Sequence, residues 1–222
     1  MKRLIFFIFL ICVFHSLFPQ TINSDFQISG IPGSLSWMNT PLNWSYKHNE
    51  LVITAGEKTD MFVDPKQTYK VLNVPRALFL PSDTFLLSSQ VQVDFQSDFD
   101  AGVLMVYGND HCWAKLCFEF SPQKKPTIVS VVNKNNSDDT NHLVIDTNKI
   151  YLRIAGLGDN TFAFHYSSDS HYWHLIRYFS LDKKTEIRIG FSSQSPTGEK
   201  CTSIFSDITY KATRLLHIRT GE

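Results

Sequence analysis

A chain of 222 residues with 21 basic and 21 acidic side chains carries no net formal charge. Its bulk electrostatics therefore favour neither nucleic acid nor a strongly cationic partner. Aromatic residues make up 14% of it, which suits pleated, half-buried surfaces and a large core.

In chain order, Lys2 and Arg3 precede an apolar run from Leu4 to Phe14, and His15, Ser16 and Pro19 then break the pattern. A basic start, a short apolar middle and a polar exit describe a secretory signal peptide. The run is shorter than the roughly 20 apolar residues a transmembrane helix needs. We therefore expect residues 1–20 to be a signal peptide, with cleavage between His15 and Ile22, and residues 21–222 to be one exported β-sandwich domain. The destination is the extracellular space, the periplasm or the secretory lumen, with no stable membrane insertion once the signal is removed.

Short β-rich runs bounded by turn residues then recur to the end of the chain. Leu51–Thr54, Leu86–Phe95, Ala101–Tyr107, Trp113–Phe120 and Thr127–Val132 are predicted strands, as are Ile150–Ala155, Thr161–Tyr166, Trp173–Phe179, Glu186–Ser192 and Thr202–Tyr210. Segments such as Gly108–Asp110, Asn133–Asn141 and Gly156–Asn160 are predicted turns, and Ala77–Leu80 a short helix or a loop. Many short strands with frequent turns predict an all-β jelly-roll sandwich of two antiparallel sheets. Three cysteines follow the signal, Cys112, Cys117 and Cys201, and an odd count leaves at least one thiol free or paired between molecules. Cys112 and Cys117 face opposite sides of one strand and are too far apart to bridge. A bridge from Cys201 to either remains open.

Alternation along Trp113–Phe120 places Ala114, Leu116, Phe118 and Phe120 on a core face. Trp113, Lys115, Cys117 and Glu119 occupy the other, which joins an indole, an ammonium and a carboxylate. Lys115 and Glu119 lie about 13 Å apart along the strand, so each needs a partner from a neighbouring strand or a ligand.

Several blocks resemble a known family. Trp37 with Thr40-Pro41 and Trp44, then Thr59-Asp60-Met61-Phe62, are similar to the opening of the regulation-of-enolase protein family. Asp100-Ala101-Gly102-Val103-Leu104 and Trp113-Ala114-Lys115-Leu116-Cys117-Phe118-Glu119 resemble its most distinctive block. Ser130–Val132 with Ser137-Asp138, Tyr151-Leu152-Arg153, Ser167-Ser168-Asp169 with Trp173, and Ile189-Gly190-Phe191 through Ser195-Pro196 to Phe205 follow in order. The resemblance implies the concanavalin A-like lectin/glucanase fold and no particular reaction. Two positions depart from the pattern. Ser170 stands where the turn usually carries glycine, and Phe62 follows Met61 where an aromatic-tryptophan pair is common, which weakens the expectation of an aromatic plate there.

Sugars are bound by aromatic plates flanked by groups that hydrogen-bond hydroxyls. Trp113, Lys115 and Glu119, with Asp60, Asp100 and Arg153 converging from adjacent strands, are the candidate ligand-binding residues for a carbohydrate. The competing expectation is an ordinary salt-bridged sheet surface, and a buried Trp113 would count against the ligand face. A glycosidase needs two carboxylates about 5 to 9 Å apart. Glu119 with Asp100 or Asp60 is the pair to test, although the superfamily's glucanases carry a glutamate-x-aspartate strand and no Glu-x-Asp occurs here. A third possibility is a non-catalytic module that binds another protein through a sheet edge. No cofactor is expected. Calcium at Asp138-Asp139 or Asp159-Asn160, zinc at His111-Cys112 or His171 and His174, and a cysteine nucleophile are weaker signals.

Overall fold

The computed structural model describes residues 25–222; the expected signal peptide lies outside them. The described chain is all β. A front sheet runs in the order β1 (Ser36–Met38), β6 (Arg76–Phe79), β15 (Arg188–Gln194), β8 (Ala101–Asn109), β9 (Cys112–Phe120), β10 (Pro126–Lys134), β11 (Asn136–Val144). A back sheet runs β14 (His174–Ser180), β13 (Thr161–Ser167), β12 (Lys149–Leu157), β7 (Thr84–Val93), β16 (Lys200–Lys211), β3 (Glu50–Gly56), β2 (Asn43–Lys47). Every pairing is antiparallel, and a small hairpin of β4 (Met61–Val63) and β5 (Lys70–Leu72) completes the set. The expected jelly-roll sandwich of two antiparallel sheets is the observed fold.

The pleat explains the layers. In β7, Phe85, Leu87, Ser89, Val91 and Val93 are buried and their neighbours are half-exposed, as period-2 alternation demands. The apolar ones, Phe85, Leu87, Val91 and Val93, meet Leu104, Leu116, Phe118, Ile189 and Phe191 of the front sheet in one inter-sheet core. β8, β9 and β10 are buried on both faces, because the β4–β5 hairpin covers part of the front sheet's outward side. Met61 and Val63 of that hairpin join Val103, Met105, Trp113, Cys117, Val129 and Val131 in a second apolar cluster. His48 and Asn49 link β2 to β3 with φ of 51° and 61°, the two left-handed residues of a tight hairpin turn whose twist suits its strands. At Gly190 an added Cβ would fall 1.9 Å from the Ala77 carbonyl oxygen, so only glycine lets β15 lie against β6.

All ten predicted strands are present, with ends shifted by a few residues. Two expectations are corrected. Ala77–Leu80 is neither helix nor loop: Arg76–Phe79 is a fully buried strand between β1 and β15. Asn133–Asn141 is mostly strand β11, a polar edge whose outer neighbour is solvent, so its composition mimics a loop. Its turn has shrunk to Asn135, at φ 70°, between the paired Lys134 and Asn136. Cys112, Cys117 and Cys201 are all buried free thiols, so the bridge left open at Cys201 is not formed.

Candidate functional site

The outward face of β9 carries Trp113, Lys115, Cys117 and Glu119, as alternation requires. Outward does not mean exposed there. Trp113 is 0% exposed, packed in the cluster beneath the β4–β5 hairpin, and its Nε1 has no hydrogen-bond partner among the described residues. It is not a plate for a ligand, and that part of the expected binding face is corrected. The covering hairpin begins at Met61, where a three-residue strand carries too little periodicity to announce itself.

Further along the same face the hairpin and surrounding loops enclose a cavity of about 670 Å³. Asp60, Lys115 and Glu119 all line it, so three of the six expected ligand-binding residues do converge. Lys115 Nζ donates to Asp60 Oδ1 at 3.0 Å and to Gln194 Oε1 at 2.9 Å, and Gln194 Nε2 donates to Glu119 Oε2 at 3.4 Å. Gln194 thus spans the gap between the two β9 side chains. It stands at the end of β15, cross-strand from Ala101, which itself pairs with Glu119. Phe62 and Tyr69 of the hairpin stack with ring centroids 5.7 Å apart and also line the cavity. The aromatic surface therefore comes from Phe62, the position where the family pattern is broken, together with Tyr69. Asp139 and Asn141 of β11 close one side.

Burial sets the electrostatics. For Lys115, loss of water works hardest against the charged form, but Asp60, Cys117 and Glu119 together outweigh that cost and the ammonium's pKa is raised. Glu119 has no such direct partner. Burial pushes its carboxyl up to about 8, only partly opposed by Lys115, so it carries its proton at neutral pH and can act as a donor. Burial also pushes the Cys201 thiol up to about 12 and the Cys117 thiol well above its usual value, the opposite of an activated nucleophile.

The remaining candidates lie elsewhere. Asp100 is fully buried and does not line the cavity. Its carboxylate accepts from the Gln96 and Ser97 backbone N–H groups at 3.1 and 2.8 Å and from Ser195 Oγ at 2.8 Å. It staples the loop carrying Phe99 to the start of the β15–β16 turn and is not free to act as a catalytic acid. Arg153 belongs to β12 in the back sheet, across the sandwich from the cavity. It shares a motif order with the others but not a surface. Asp138 lies in strand β11, not a loop, and pairs with Arg177 at 2.6 Å. Among the described residues no group of three or more His, Cys, Asp or Glu is arranged to hold a metal ion. Ser167-Ser168-Asp169 is a turn in which Asp169 accepts from Ser167, His171 and Tyr172, and Ser170 sits at φ 64°, the conformation for which glycine is the easier choice.

Residues 37–213 match the model of a family described as a protein of unknown function, DUF1349. No curated protein matches the chain. Among solved structures, a functionally unknown protein from Saccharomyces cerevisiae is similar with a TM-score of 0.74 at 20% identity, over 81% of this chain and 96% of that one. A GH43 protein from Bacillus licheniformis is similar with a TM-score of 0.66 at 14% identity, over 86% of this chain and 38% of that one. A xylan β-1,4-xylosidase from Bacillus halodurans gives 0.57 at 10% identity, over 76% and 38%. The chain spans well under half the length of the latter two. At such identities the likeness establishes the sandwich fold alone.

Proposed function

This chain belongs to the DUF1349 family, and we propose that it binds a neutral saccharide in the cavity under the β4–β5 hairpin. The observation that carries this reading is that a stacked aromatic pair, Phe62 and Tyr69, and a desolvated hydrogen-bonding chain of Asp60, Lys115, Gln194 and Glu119 line one cavity of about 670 Å³. Sugars present C–H faces to aromatic rings and hydroxyls to mixed donors and acceptors, which is what such a cavity offers. Its charges nearly cancel. Asp60 offsets Lys115, Lys58 and Asp139 add one charge of each sign to the lining, and Glu119 is uncharged at neutral pH. An uncharged polar ligand suits that balance better than an ion. The GH43 protein and the xylosidase that share the fold are named for glycoside chemistry, which points the same way. The reading retains the resemblance to the regulation-of-enolase family, whose Trp113–Glu119 block supplies Lys115 and Glu119, and a protein that acts after export.

Titration calorimetry against a panel of neutral oligosaccharides tests the proposal. Saturable binding that weakens about tenfold, or about 1.4 kcal/mol, in Phe62→Ala is the expected result. Binding indifferent to that change, or none across the panel, would overturn it.

The raised Glu119 pKa also sets a pH dependence. The folded state holds this proton between the unfolded value of 4.5 and about 8, whereas the unfolded chain releases it. Its stabilising contribution is thus complete below pH 4.5 and declines as pH rises towards 8. Melting temperatures measured from pH 5 to 8 should fall for the native chain and flatten in Glu119→Gln; parallel profiles would contradict the assignment.

A protonated carboxyl beside Asp60 and Asp139 favours a second reading, a glycoside-active enzyme with Glu119 as general acid and Asp60 as the second carboxylate. Release of reducing ends, abolished in Glu119→Gln while binding persists, would establish it. A flat assay over the saccharides that bind would leave a binding protein.

A further inference from the structure

Arg153 has a cavity of its own. It projects from the outward face of β12, opposite Leu152 and Ile154 in the core, and helps to line a space of about 300 Å³ with Lys211, Asp207, Tyr151, Ser88 and Trp173. The residue is only 5% exposed. Its guanidinium makes one hydrogen bond, from Nη2 to the Gly221 carbonyl at 2.8 Å, and Nε is buried without a partner. The Trp173 ring lies 4.1 Å from the guanidinium carbon. No carboxylate pairs with this cation among the described residues.

A buried guanidinium without an acid is an expensive arrangement. An arginine that merely fastened the segment after β16 through the Gly221 carbonyl would need a single donor, and here Nε is buried with no acceptor to receive it. Burial lowers its pKa to about 10, so it remains charged at neutral pH. The cavity's fixed charges are two positive, Arg153 and Lys211, and one negative, Asp207, which Tyr151 holds by its hydroxyl at 2.8 Å. Asp207 is presented by a break in strand register between Ser206 and Thr209 and sits at φ 49°, a local distortion of the kind found beside binding sites. Ser88 Oγ and Thr209 Oγ1, 2.7 Å apart, add hydroxyls to the same wall.

We propose that this cavity is a second binding site, taking a small ligand through one carboxylate anchored on Arg153. Lys211 supplies the second cation, and Asp207, Tyr151 and the Ser88–Thr209 pair meet hydroxyl groups carried by the ligand. A net charge of one positive unit matches a monoanion. Inorganic phosphate, a mixture of monoanion and dianion at neutral pH, exceeds that balance on average and faces Asp207.

The test is titration of the full chain with glucuronate, acetate, inorganic phosphate and chloride at matched ionic strength, read as melting temperature and as tryptophan emission. Saturable stabilisation by glucuronate, with acetate weaker and chloride inert, is expected. Arg153→Gln keeps a donor for the Gly221 carbonyl while removing the charge, and should abolish the response. Because that residue is buried, Lys211→Ala at an exposed position provides a second variant that leaves the core intact, with affinity expected to fall about two- to fivefold. Phe62→Ala, which weakens saccharide binding, should leave the glucuronate response unaltered, which separates this site from the saccharide cavity. Absence of saturation by any carboxylate, a response unaltered in Lys211→Ala, or phosphate binding as tightly as glucuronate would overturn the proposal.

Discussion

Asp60→Asn is expected to lower folding stability by about 3 kcal/mol, and adding Lys115→Met to restore most of the loss. The Lys115 side chain is 3% exposed and that of Asp60 19%. Removing one partner of a buried pair leaves the other as an uncompensated charge, at a cost of roughly 3–5 kcal/mol; partial access of water to Asp60 places this case at the lower end. Asparagine keeps an oxygen for the Met61 N–H, which Asp60 Oδ1 accepts at 2.7 Å, so the change isolates charge from hydrogen bonding. Replacing both partners removes the isolated charge, and an apolar chain of similar length fills the space. Urea unfolding of the three variants measures the effect. Equal loss in the single and double variants would mean that the ion pair contributes through shape alone.

Trp113→Ala is expected to cost about 3–5 kcal/mol, the range for removing a fully buried large aromatic side chain. The indole fills the space between β9 and the covering hairpin, touching no solvent. A residue that served as a ligand platform would instead be replaceable with little change in stability. Denaturant midpoints for this variant therefore distinguish a core role from a binding one, and an unchanged midpoint would return Trp113 to the surface.

The fold was legible where a strand touches the core on at least one face. β7, β9 and β12 announce themselves through alternation or through continuous apolar runs. β11 does not, because an edge strand exposed along most of its length is built from the same Ser, Asp, Thr and Asn that make turns. β4 and β5, at three residues each, are too short for any period. The candidate site failed and succeeded for the same reason. Parity along β9 correctly grouped Trp113, Lys115 and Glu119 on one side, but parity describes direction, and burial depends on what else lies there. Only the hairpin decides that the tryptophan end is sealed and the glutamate end is hollow. Gln194 went unnoticed because an amide carries no charge to attract attention; its signal was a polar run, Ser192 to Ser195, closing an apolar strand. Arg153 shows the converse, since its motif order placed it among site residues that the topology sends to the other sheet.

The placement of β16 has a consequence for how the molecule is made. It lies in the interior of the back sheet, hydrogen-bonded to β7 on one side and β3 on the other. During vectorial synthesis both flanking strands emerge more than 100 residues before the piece that joins them. Until residues 200–211 arrive, each presents a bare ladder of amide and carbonyl groups, the feature that makes nascent β proteins prone to self-association. Closure by so distant a segment makes assembly slow, and it gives an accompanying chaperone a definite interval in which to shield two open seams.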